Sequence, residues 1–180
     1  MFFDSNPILP LENLCSHLET YQPQNDSQAV MLNYANKLIL LEDNFKGAGL
    51  FMWGEAGIGK SHIAVGIAKK FMLKGLTHIF QFADRFNFQT ILDLKPTQVW
   101  VIDDLNNGYG LISQLFKKVV LNAHELGGRV FITSKKNYDE LLKEMIVGDG
   151  NANRIRYDDR TNGMFKILNV TGNSYRQTNA

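Results

Sequence analysis

The chain has 180 residues, of which 44% are hydrophobic and 21% charged, with a net charge of +1. That balance fits one globular domain with its own core, and it excludes a global basic field for nucleic acid or an anionic membrane, though not a local patch. The lone cysteine, Cys15, excludes an internal disulfide and makes a reducing cytoplasm the default compartment. The start of the chain shows no secretory signal pattern. No stretch approaches the roughly 20 apolar residues that a membrane helix needs, so no membrane partner is expected.

Residues 1–27 read as an N-terminal strap, 28–177 as the core and 178–180 as a disordered tail. The polar stretch Tyr21–Gln28 is read as a loop joining strap to core. Helical spacing covers Ala29–Leu41. Leu50–Trp53 is a short apolar strand, and Ser61–Leu73 a helix with Ile63, Ile67, Ala68 and Phe71 on one face. Thr77–Ala83 reads as a strand. Phe86–Leu94 reads as a short helix ended by Pro96, because proline disfavours helix at the residue before it. Gln98–Ile102 is the third strand. Gly110–Leu126 is a long amphipathic helix closed by Gly127-Gly128. Arg129–Thr133 is a strand, Tyr138–Ile146 a helix, and Met164–Thr171 the fifth strand. Alternating strands and helices predict an α/β fold with a parallel sheet covered on both faces. In such sheets ligands sit beyond the carboxyl ends of the strands.

The central motif is Gly54-Glu55-Ala56-Gly57-Ile58-Gly59-Lys60-Ser61, which matches G-x-x-x-x-G-K-[ST] at every fixed position. The glycines let the backbone curl until successive N–H groups point at phosphate oxygens. The following helix adds its positive N-terminal end. Lys60 is expected to reach the β- and γ-phosphates of ATP, and the Ser61 hydroxyl to ligate Mg²⁺. A chance match in a glycine-rich turn would not also lie between an apolar strand and an amphipathic helix.

Val99-Trp100-Val101-Ile102-Asp103-Asp104 is an apolar run ending in two carboxylates. Asp103 can complete the Mg²⁺ shell opposite Ser61. Asp104 can orient or polarise the attacking water. The plainer alternative is a strand ending in an ordinary turn, where Asp is common. A phosphate loop upstream favours the catalytic reading.

Gly59-Lys60-Ser61-His62, Ile102-Asp103-Asp104-Leu105 and Phe131-Ile132-Thr133-Ser134 occur in the order of AAA+ ATPases. On these residues the chain resembles the DnaA/DnaC branch. Asn153-Arg154-Ile155-Arg156 with Gly172-Asn173-Ser174-Tyr175-Arg176 is most similar to DnaC/IstB-type helicase-loader cores. The resemblance implies a three-layer P-loop NTPase with a parallel five-stranded sheet and no C-terminal helical lid. It implies that Thr133 or Ser134 is sensor 1, at a strand end facing the γ-phosphate or the water. Their alternative role is to cap the next helix. It implies that Arg154 is the arginine finger acting on a neighbouring subunit, with Arg156 and Arg160 as other candidates in that loop. His62 joins the nucleotide-binding set by its place after Ser61, or packs against the sheet instead. Residues 21–41 lie where such chains wrap adenine. Asp104 stands where many AAA+ enzymes carry Glu. Only Asp84–Pro96 separates the second strand from the third, too little for the DNA-contacting insertion helix of the branch.

The function implied is a Mg-ATP-dependent ATPase, slow unless assembled, acting in DNA replication as a loader-like or initiator-like switch. Its partners would be a second copy, another AAA+ subunit or a helicase. The alternative is a nucleotide-dependent interaction module, or a transposition-type helper, with little hydrolysis. Single-stranded DNA is a further candidate through Lys117, Lys118, Lys135, Lys136 and Lys143, against which the near-zero net charge argues.

Overall fold

A computed structural model describes residues 15–40, 49–75, 78–83, 99–108, 110–146 and 163–175. The helix expected over 86–94 lies outside the described residues, as do Arg154, Arg156, Arg160 and Arg176. Strands β1 (Gly49–Trp53), β2 (His78–Phe82), β3 (Val99–Asp103), β4 (Arg129–Ser134) and β5 (Phe165–Asn169) form one sheet in the order β2-β3-β4-β1-β5. All four pairings are parallel. The helices are α1 (Asp26–Leu40), α2 (Lys60–Leu73), α3 (Leu111–Leu126) and α4 (Tyr138–Ile146).

Strands buried on both faces read as unbroken apolar runs, and side chains leave them alternately on either side. Leu50, Met52, Val99, Val101 and Phe131 therefore join one core with α1 and α2. Phe51, Trp100, Ile102, Val130 and Ile132 join the other with α3 and α4. The result is three layers, with helices on both faces of the sheet. Gly127 closes α3 in the left-handed conformation, and the Gly128 amide donates to Ala123 O at 2.7 Å, the C-cap expected there. Among the described residues no helix is long and apolar enough to cross a membrane.

The expected loop Tyr21–Gln28 is only partly a loop. Helix α1 already starts at Asp26, because Asn25 caps it: its Oδ1 accepts the Gln28 amide at 3.0 Å. Residues ahead of that cap attach to the loop before α2 and to one stripe of α2. Tyr21 OH donates to Ile58 O at 3.1 Å, and His62 Nε2 sits 2.8 Å from His17 O. Lys69 Nζ donates to Ser16 O at 2.9 Å, and Lys70 pairs with Glu19. Between these anchors Leu18 lies directly over Gly66.

A Cβ at Gly66 would come within 3.0 Å of the Leu18 backbone nitrogen. Gly66→Ala should therefore destabilise the protein by about 1–3 kcal/mol in chemical denaturation. Helix propensity alone favours alanine by about 1 kcal/mol, so an undocked strap gives the opposite sign.

Candidate nucleotide site

β1 ends at Trp53, and the chain turns through Gly54–Gly59 into α2. Two glycines show why the loop needs them. Gly57 (φ +81°) would drive a Cβ to 2.0 Å from Ser174 Oγ, and Gly59 (φ +95°) would drive one to 2.4 Å from the Tyr21 ring. Both conformations are strained for any residue with a side chain. The loop is thus enclosed by the strap on one side and by the segment after β5 on the other. Tyr175 N donates to Gly57 O at 3.0 Å.

Lys60 opens α2 and is 7% exposed. Its ammonium donates to Gly54 O at 2.8 Å and Glu55 O at 2.6 Å. Burial lowers its pKa to about 8, even though the Asp104 and Asp103 charges act to raise it. Ile58 is fully buried and Ala56 exposed.

Because β4 lies between β1 and β3, three strand ends converge beside the loop. Asp103, 2% exposed, accepts on Oδ1 from Ser61 Oγ at 2.8 Å and from Thr133 Oγ1 at 2.5 Å. Burial raises the Asp103 pKa, and the two hydroxyl donors pull it back. Thr133 Oγ1 accepts in turn from the Asp104 amide at 2.9 Å. Asp104 is exposed, with φ +59°, a left-handed conformation that Asp tolerates better than most residues.

Thr133 and Ser134 have different partners. Thr133 touches Asp103, whereas Ser134 Oγ accepts from the Lys136 amide at 2.9 Å and Ser134 O accepts from Gly54 N at 3.2 Å. Neither caps α4: Asn137 does, with Oδ1 accepting from the Glu140 amide at 2.8 Å. His62 does not join the Lys60–Asp103 cluster; its ring faces the strap, near Tyr21, His17 and Thr20. Gln28 and Tyr175, to which the sequence reading gives no individual role, also close on the loop. Gln28 is fully buried, with Nε2 3.5 Å from Ile58 O, and Tyr175 OH lies 3.1 Å from Gln28 Oε1. In the sequence Gln28 only closes a polar stretch that reads as loop, and nothing there marks it as buried.

Among the described residues no group of three or more His, Cys, Asp or Glu side chains could hold a metal. One carboxylate and one hydroxyl, both hard oxygen donors, suit Mg²⁺, which keeps several waters and shares its shell with phosphates. Ser61 and Asp103 therefore fit the ion implied by the motif.

No protein-family model matches the sequence, and no curated protein does. Solved structures do match. The DnaI crystal structure superposes with a TM-score of 0.75 at 16% identity, covering 93% of this chain and 94% of that one. A DnaC helicase loader gives 0.67 at 20%, covering 90% and 100%. The replication initiator DnaA bound to AMPPCP and single-stranded DNA gives 0.69 at 15%, covering 91% of this chain and 52% of DnaA. The fold is a parallel α/β P-loop fold. More narrowly, it is the fold shared with these DnaI, DnaC and DnaA structures.

Proposed function

We propose that this chain is a Mg²⁺-dependent ATPase of replication, working as a helicase-loader-like or initiator-like switch. The observation that carries the reading is the convergence of Lys60, Ser61, Asp103 and Thr133 at one end of the sheet. The DnaA neighbour was solved with AMPPCP, an ATP analogue, which supports nucleotide as the ligand. The DnaC loader, covered over its whole length, supports a role beside a helicase.

In this reading the amides of Gly54–Ser61 cradle the phosphates, and Lys60 exchanges its loop carbonyls for β- and γ-phosphate oxygens. Ser61 and Asp103 would hold Mg²⁺, whose charge offsets that developing on the phosphates. Asp104, the exposed carboxylate, orients the attacking water, and Thr133 keeps Asp103 and the Asp104 main chain in register. Arg154 completes the site of a neighbouring copy; arginine suits this because its planar fork stays charged and grips phosphate oxygens bidentately. Single-stranded DNA is a weaker candidate partner. Lys136 of the lysine set is engaged by Glu144, with Nζ and Oε1 2.5 Å apart.

Steady-state hydrolysis over a protein dilution series tests this. Specific activity should climb with concentration and fall about 10³-fold in Arg154→Ala, the scale expected when an arginine finger is lost. ATP binding without turnover at any concentration would replace the ATPase with a nucleotide-dependent interaction module. A rate independent of concentration would remove the finger in trans.

A further inference from the structure

The loop after β3 holds one side-chain amide committed at both ends. Asn106 Nδ2 donates to Asp104 Oδ1 at 2.7 Å, and Asn106 Oδ1 accepts from the Lys135 amide at 2.7 Å. The second bond crosses from the end of β3 to the residue just past β4. Chemistry fixes the orientation of this amide. Turned over, it would set oxygen against a carboxylate oxygen and two donors against each other.

Among the described residues no other side chain does the same for the carboxylate. The Thr133 hydroxyl takes the Asp104 amide and so places the main chain, not the side chain. The Leu105 amide donates to Thr133 O at 2.8 Å and fixes the next peptide. With φ at +59°, Asp104 leaves the strand away from the buried position of Asp103, and its side chain is exposed. An exposed carboxylate samples several rotamers unless a partner holds it, and a misdirected base loses much of its effect.

We propose that Asn106 is a positioning residue. It locks one oxygen of Asp104 to the main chain beyond β4, so that carboxylate and sensor strand move as one unit. The inference rests on the ATPase reading and names what aims its base. It also means that a displacement of the β4 end reaches the Asp104 carboxylate through the Asn106 amide, beside the link from Thr133 to the Asp104 main chain.

A double-mutant cycle tests it. Asn106→Ala should lower kcat about 10–100-fold, the scale for a group that orients another, with the KM for ATP within about twofold. In an Asp104→Asn background the same change should cost nothing further. Asn106→Asp keeps an acceptor for the Lys135 amide but loses the donor and sets a like charge beside Asp104. Its kcat should fall at least as far. Full activity in Asn106→Asp, or an undiminished loss in the Asp104→Asn background, overturns the proposal. The contact is read without turnover from the Asn106 side-chain ¹H–¹⁵N signals, which should shift in Asp104→Ala. Unchanged signals overturn the proposal whatever the ATPase does. If they shift but wild type never turns over ATP, the ATPase reading is what fails, and the catalytic role of Asn106 falls with it.

Discussion

Lys60→Ala should weaken ATP binding by about 10–100-fold and reduce any hydrolysis by a further 10²–10³-fold. One hydrogen bond to a charged group contributes about 1.5–3 kcal/mol, which sets the first figure. Loss of a preorganised donor at a site of developing charge sets the second. The ammonium rests on Gly54 O and Glu55 O, held where a phosphate would meet it rather than free in solvent. Its pKa gives a second signature. In the unfolded chain Lys60 titrates near 10.5, and in the fold near 8. Between these values the unfolded state binds more protons, so folding stability rises with pH across that window. Ligand binding runs the other way, because phosphate favours the charged lysine. Nucleotide affinity should be greatest below pH 8 and fall by up to about tenfold per unit above it. Lys60→Ala should lose that slope together with the affinity. Binding titrations at pH 7 and pH 9.5 on both proteins check this, and an unchanged slope in the variant would assign the titration to another group.

Asp103→Asn should separate function from stability. The carboxylate is buried, and burial is the main influence raising its pKa. A raised carboxyl pKa means that the fold loses stability as pH climbs from the unfolded value of 3.8 through the folded one, so at neutral pH the ionised group is a burden. An asparagine keeps an acceptor for Ser61 and Thr133 but carries no charge. Thermal unfolding at pH 7 should therefore shift upward by about 2–4 °C, the shift expected for roughly 1 kcal/mol in a domain of this size. The Mg²⁺-dependent part of ATP affinity should vanish, and turnover should fall about 10²–10³-fold, as for loss of any group that stabilises transition-state charge. A gain in stability with loss of activity is the trade-off expected of a site kept charged for function. A drop in melting temperature would mean that the two hydroxyl bonds outweigh desolvation.

Much of this fold is legible locally. Val99–Ile102 and Val130–Ile132 are apolar on consecutive residues because both sheet faces are covered, and a lone segment shows that. The phosphate loop is legible because its chemistry lies within eight consecutive residues. What is hidden depends on tertiary partners. Nothing in Asn106-Asn107-Gly108 sets it apart from an ordinary turn; its meaning comes from the Lys135 amide on another strand. The true start of α1 turns on the Asn25 cap, a short polar residue in a polar stretch that reads as loop. The carboxyl ends of β3 and β4 each run one residue beyond the sequence reading, because Asp103 and Ser134 are polar yet buried. Adjacency to Ser61 does not say where His62 points: a helix turns about 100° per residue, and that step turns its ring to the strap rather than to the Lys60–Asp103 cluster or the sheet. Thr133 and Ser134 could not be ranked from sequence, since alternation in a strand puts them on opposite faces without saying which face holds Asp103.

Calorimetric titration of ATP into the protein, with and without Mg²⁺, is the most direct test. The expected result is one-to-one binding that Mg²⁺ tightens in wild type, that Asp103→Asn makes indifferent to Mg²⁺, and that Lys60→Ala weakens in both conditions. No heat at millimolar ATP, or binding of equal strength in wild type and Lys60→Ala, would contradict the assignment of Gly54–Ser61 as the phosphate-binding loop.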